Sequence, residues 1–244
     1  MHGADELLAE PVGADPWAAV LDAEPAPVRL VGEAGLDRAA TAFAELADLK
    51  APFLHGHAAG VARLAEGAGR VLGIPGGELA DLQRAALLHD LGRVVVPTSV
   101  WEKQGALSAG EWERVRLHAY HTERILSRSE GLAAIAPLAG MHHERLDGSG
   151  YHRSATSKTI PMAARILAAA DVFQALTQAR PHRPAVGAQQ AAAVLAEEAA
   201  AGRLDAEAVG AACAAAGEPR PPGRREWPAG LTGRRPARLG LKMG

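Results

Sequence analysis

An all-α domain is what this sequence predicts, on three observations. Apolar residues recur at helical spacing from Leu36 onward, Pro and Gly breakers separate the periodic segments, and strand signals are nearly absent. Residues 1–35, rich in Pro, Gly and acidic residues, read as a loose lead-in with a short helix around 16–22. Helices are then expected at about 36–50, 56–73, 78–91, 108–128, 131–143, 161–178, 187–201 and 205–216. The breakers are the run from Gly73 to Gly77, Pro97, the Asp147-Gly148-Ser149-Gly150 turn, and Pro181 with Pro184. Ser108 with Glu111 three residues later is a capping-box signature for the fourth of these helices. "RVVVP" at 93–97 is too short to read as a strand. From Gly217 the chain is basic, rich in Pro and Gly, and without an apolar face, so 217–244 reads as a disordered tail behind a helical domain over 36–216.

Bulk properties bound the function. A chain of 244 residues can bury one core, with or without an appendage. A net charge of −2 gives no electrostatic argument for a nucleic-acid or membrane partner, so an anionic ligand must be held by local charge. The single cysteine, Cys213, excludes an internal disulfide and cysteine-cluster metal sites and fits a reducing compartment. The amino terminus lacks the pattern of a signal peptide and no apolar run reaches bilayer length, so a soluble, cytoplasmic chain is expected.

The chemistry lies in five imidazoles and two carboxylates: His57, His89-Asp90, His118, His142-His143 and Asp171. Each falls in an apolar helical stretch, where such groups are costly unless compensated. One histidine there is usually a hydrogen-bonded core residue, but two adjacent pairs punctuating successive helices point to a metal site. Seven ligands point to more than one metal. A carboxylate such as Asp90 can bridge two cations through its two oxygens. Nitrogen-rich, cysteine-free ligation suits Mn, Fe, Co, Ni or Zn. A pair of such ions is the equipment for phosphoester hydrolysis.

The segments "AALLHDLGRVVVP", "EWERVRLHAYHTERIL", "HHERLDGSGYHR", "IPMAARILAAADVFQALT" and "RPHRPA" carry a resemblance over roughly residues 50–210. In order and spacing they resemble the signature of HD-GYP phosphohydrolases. The resemblance implies an all-α HD fold, a binuclear or trinuclear centre, and hydrolysis of cyclic di-GMP. By position it implies His57, His89, Asp90 and Asp171 on a first metal and Asp90, His118, His142 and His143 on a second. Asp90 and Arg93 are the implied catalytic residues, and Asp147, Gly148, Gly150, Tyr151, Arg180 and Arg183 the implied substrate-binding ones. His55 and His121 fill no ligand position. Two divalent transition-metal ions are therefore expected as cofactors and a cyclic dinucleotide or related nucleotide as ligand. A homodimer is left open, and no membrane or nucleic-acid partner is expected.

Four departures accompany the resemblance. Phe53 stands where trinuclear members carry glutamate, which implies two metals rather than three. Arg93 replaces the family's lysine, Gly150-Tyr151-His152 replaces Gly-Tyr-Pro, and Arg180-Pro181-His182-Arg183 replaces Arg-Pro-Tyr-Arg. The last two variants, together with "RREWPAGLT", resemble HD-GYP-like proteins fused to a LuxR-type helix-turn-helix, of which the tail would be a truncated stub. Two alternatives follow from them: a catalytically weak sensor module that regulates transcription, and an HD phosphohydrolase acting on another nucleotide.

Overall fold

The computed structural model describes residues 16–23, 25, 31–103, 105–180 and 183–219. Most of the expected lead-in, Gln104, Pro181, His182 and the tail from Arg220, including "RREWPAGLT", lie outside them. The chain divides into two compact units, 1–35 and 36–244. In the first, α1 (Pro16–Asp22) is the short helix expected around 16–22.

The described residues are helical, without a named strand, as the fold class requires. After α2 (Glu33–Asp48) come α3 (His57–Val71), α4 (Gly76–Leu88), α5 (Thr98–Trp101), α6 (Ala109–Arg116) and α7 (His118–Leu126). Then follow α8 (Glu130–Ala133), α9 (Ala136–Gly140), α10 (Met162–Thr177), α11 (Ala188–Ala200) and α12 (Ala206–Ala215). Single 3₁₀ turns occupy Pro52–Leu54 and Leu91–Val95.

Three expected helices stop or divide at points that place ligand-type residues at helix ends. The one expected at 78–91 ends at Leu88, with His89 as its C-cap and Asp90 already outside it. The one expected at 108–128 divides at Leu117 into α6 and α7, so that His118 opens a helix. The one expected at 131–143 becomes α8 and α9, because Pro137 lacks an amide proton and is tolerated only in a first turn. His142 and His143 follow α9 in a turn. The capping box forms as expected: Ser108 Oγ accepts the Glu111 amide, and the Glu111 carboxylate accepts the Ser108 amide.

α3 packs against α4, α10 and α12. Small residues allow this crowding. A Cβ at Gly60 would collide with the Gln174 side chain of α10, and one at Gly67 would lie 2.8 Å from Ala215 of α12. The main apolar core joins these helices to α11 through Val61, Leu64, Leu82, Ile166, Leu167, Phe173, Leu195 and many alanines. A second cluster ties Ala40, Leu88 and Leu126 to Ile135 and Ala139, and a third gathers Leu54, Val96, Val100, Trp101 and Val115. The polar centre draws its ligand-type side chains from elements of the first two clusters.

Candidate metal centre

Each ligand-type residue reaches the centre from a helix end or a helix interior. Gly56, with φ 73, turns the chain so that His57 opens α3, and the buried Asp48 carboxylate accepts the Ala58 amide at 3.3 Å. His89 and Asp90 follow α4. Their turn is fixed by Thr122 of α7, whose hydroxyl donates to the His89 carbonyl and accepts the Gly92 amide, both at 2.8 Å. His118 opens α7, His142 and His143 follow α9, and Asp171 projects from the middle of α10. All seven are buried.

Hydrogen bonding fixes which nitrogen faces inward. Nδ1 of His89, His118 and His142 lies 2.8, 2.5 and 2.8 Å from the carbonyls of Ala86, Val115 and Ala139, each three residues earlier. A carbonyl can only accept, so these Nδ1 atoms carry protons and each ring turns its Nε2 to the centre, a bare lone pair whenever the ring is neutral. His57 Nδ1 is held instead by Gln178 Oε1 at 2.9 Å. The bare atoms then converge. His118 Nε2 lies 3.0 Å from His142 Nε2, and His57 Nε2 lies 3.2 Å from Asp171 Oδ1. Asp90 stands between them. Its Oδ2 is 3.1 Å from His89 Nε2 and 3.7 Å from His57 Nε2, while its Oδ1 is 3.2 Å from His118 Nε2 and 3.7 Å from His142 Nε2.

Acceptors at such distances repel unless a cation sits among them. Donors about 2.1 Å from one ion are about 3.0 Å apart at right angles and about 3.4 Å apart at the tetrahedral angle. The shorter contacts, 3.0 to 3.2 Å, fall in that range. Three overlapping groups meet the requirement: His57, His89 and Asp171; His89, Asp90 and His142; and His118, His142 and His143. His89 Nε2, Asp90 Oδ1 and both His143 nitrogens are buried without a hydrogen-bond partner, as open ligand positions would be, while Asp90 Oδ2 also faces the Arg93 guanidinium. The residues present therefore fit divalent metal ions.

Electrostatics agree with this donor set. Burial would raise the Asp90 carboxyl, but Arg93, 2.8 Å away through Nη2, and His89 hold it well below the usual range. Burial likewise opposes Asp171, which the imidazoles around it, His57 first, hold well below the usual range. Burial drives His142 and His143 well down, keeping them neutral. His89 goes the other way: despite burial, the Asp90 charge raises it to about 9. A metal binding there would have to displace that proton.

The residues implied for catalysis and substrate binding divide into two sets. Arg93 is buried beside Asp90 with Nε and Nη1 unpartnered, and its guanidinium lies 5.1 Å from the Trp101 ring. Arg180 is buried over the Phe53 ring with Nη1 unpartnered, and burial, then Arg93, lowers it to about 10. Tyr151 packs against His143 with its hydroxyl unpartnered. Arg183 instead turns its guanidinium onto the carbonyls of Ala175 and Leu176 at the end of α10. Asp147 is a turn residue whose Oδ1 accepts both the amide and hydroxyl of Ser149, and Gly148 has φ 80. A Cβ at Gly150 would lie 2.6 Å from the His143 carbonyl, so only glycine lets this loop approach the histidine turn.

The outlying residues are also placed. His121 meets Tyr120 edge to face and His55 is exposed; neither joins a metal-type group. Glu144 clamps the rim loop, its carboxylate accepting the amides of Arg153 and Ala155 at 2.7 and 2.8 Å. Sequence reasoning missed Gln178 and Thr122. Thr122 could have been found as the residue four after His118 on the same helical face. Gln178 had only its position between Asp171 and Arg180 as a signal.

Residues 41–208 match the HD domain family. The chain is 38% identical over 179 residues to the 3′3′-cGAMP-specific phosphodiesterase 3 of Vibrio cholerae serotype O1, covering 73% of this chain and 39% of that protein. It is 40% identical over 116 residues to the cyclic di-GMP phosphodiesterase response regulator RpfG of Xanthomonas campestris pv. campestris, covering 47% and 31%. The chain thus spans well under half the length of either relative. In fold it resembles Bd1817, a HDG"Y"P protein of Bdellovibrio bacteriovorus, with a TM-score of 0.56 at 16% identity over 75% of this chain and 64% of that one.

Proposed function

We propose that this chain, which belongs to the HD domain family, is a metal-dependent phosphodiesterase that hydrolyses a cyclic dinucleotide. The observation that carries the reading is the convergence of imidazole nitrogens and carboxylate oxygens around Asp90, with the Arg93 guanidinium as the one cation paired with that carboxylate. The two faces of Asp90 support two ions: Oδ2 is turned to His57 and His89, and Oδ1 to His118 and His142. His143 and Asp171 complete the two sets. Nitrogen-rich ligation without cysteine favours Mn, Fe, Co, Ni or Zn. Such ions, when bound, make water a nucleophile near neutral pH and offset charge on phosphoryl oxygens.

The remaining chemistry belongs to the chain. Asp90 orients both sides of the centre and is itself held by Arg93. Arg93 and Arg180 are buried cations, and burial and then the Arg93 charge lower Arg180, so an anion drawn to both would relieve that cost. Their unpartnered N–H groups supply the hydrogen bonds a phosphodiester needs. The Tyr151 hydroxyl is a further unpartnered donor at the same rim. Arg183 acts at one remove, tying the Arg180 segment to α10.

The two long matches, over 179 and 165 residues, are to proteins named for 3′3′-cGAMP, while the match to RpfG covers 116. Both 3′3′-cGAMP and cyclic di-GMP are therefore assayed, beside linear pGpG and an aryl phosphodiester, with Mn(II)-loaded protein. The reading expects turnover of a cyclic dinucleotide, abolished by Asp90→Ala. Metal-loaded protein that binds a cyclic dinucleotide but hydrolyses none of the four would sink the enzyme and leave a ligand-sensing module.

A further inference from the structure

We infer that Gln178 is a positioning residue that joins the metal ligand His57 and the buried cation Arg180 into one unit, so that metal binding and anion binding reinforce each other. The inference rests on the metal reading above.

Three of the four fixed imidazoles are oriented by a carbonyl three residues earlier in their own chain segment. Such contacts are local and follow from the helix end itself. His57 differs. Its Nδ1 is held by the side chain of Gln178, 121 residues away. Among these four, it is the ligand whose orientation depends on a side chain from a distant segment.

That segment touches the same stretch twice. Gln178 holds His57, and two residues later the Arg180 guanidinium lies 5.5 Å from the ring of Phe53, four residues before His57. Gln178 is the C-cap of α10, in extended backbone (φ −104, ψ 142), where the helix bearing Asp171 gives way to the strap bearing Arg180. The strap is anchored behind. Arg180 and Arg183 exchange backbone hydrogen bonds at 2.9 and 3.1 Å, and the Arg183 guanidinium grips the carbonyls ending α10. Arg180 keeps Nη1 buried and unpartnered. An anion drawing on Arg180 therefore acts through a short tethered segment on Gln178, and through it on the tautomer and angle of His57. Coupling of this kind is reciprocal: whatever the anion does to metal affinity, the metal does to anion affinity.

The test challenges the Co(II)-loaded full chain with a graded chelator, with and without inorganic phosphate, following the visible absorption of the bound ion. In the wild type, phosphate is expected to slow Co(II) loss. Gln178→Ala is expected to weaken one of the two ions about 10- to 100-fold, to leave the other unchanged, and to abolish the phosphate effect. Gln178→Glu, whose carboxylate can accept the same N–H, is expected to restore both. Wild-type affinities and an intact phosphate effect in Gln178→Ala would overturn the inference and leave the metal reading standing. A wild-type chain that takes up no Co(II) would overturn the metal reading and the inference with it.

Discussion

The two adjacent ligand pairs, His89-Asp90 and His142-His143, both follow a helix end, yet they are secured by different parts of the molecule. The first is locked inside the bundle: Thr122 of α7 bridges the His89 carbonyl and the Gly92 amide, and Gly92 lies directly on the backbone of α7. The second is locked by the rim. The Tyr151 amide donates to the His143 carbonyl at 3.3 Å, Arg145 donates to the His142 carbonyl, and Glu144 pins the loop at Arg153 and Ala155. Changes to the first lock should therefore act on folding, and changes to the second on the site. Of the residues that depart from the HD-GYP pattern, His152 lies in the loop of the second lock, whereas Arg93 lies beside the first, against Asp90.

The largest expected effect breaks the first lock. Gly92→Ala would drive a Cβ into the His118 carbonyl and to 2.5 Å from the Thr122 amide, backbone atoms that cannot step aside. A loss of about 3 kcal/mol is expected in urea unfolding; a wild-type midpoint would mean that α7 does not pack there. Next comes Thr122→Val, which keeps the shape but strands a buried amide and a buried carbonyl. It should cost about 2 kcal/mol by the same measurement. Glu144→Gln sharpens the contrast, since the amide oxygen can still accept one of the two loop amides. Its cost to stability should be about 1 kcal/mol or less, while KM for the dinucleotide rises and metal content holds. A fall in metal content equal to that of Asp90→Ala would erase the distinction between the two locks.

Much of this was legible in the sequence, and the reasons for the rest are physical. Helices with strong apolar periodicity, such as α3 and α10, declare themselves, because their spacing is set by burial. The seven ligand-type residues were visible because buried imidazoles and carboxylates are costly singly and conspicuous together. The breaks at Leu117 and around Pro137 interrupt segments whose apolar pattern continues across them, so periodicity alone joins what geometry separates. Thr122 and Gln178 were hidden for another reason. Each is an ordinary polar residue whose meaning comes from a partner 33 or 121 residues away, and no local spacing encodes that. Arg183 could be read either as a phosphate ligand or as a cap for α10, and only the direction of its guanidinium separates the two.

The central claim is that the bare acceptors around Asp90 exist to hold two cations. Elemental analysis of the purified full chain after saturation with Mn(II) and removal of loosely bound ion tests it most directly. Two ions per chain, reduced by Asp90→Ala, is the expected result. One ion or none, with all seven side chains intact, would contradict the account.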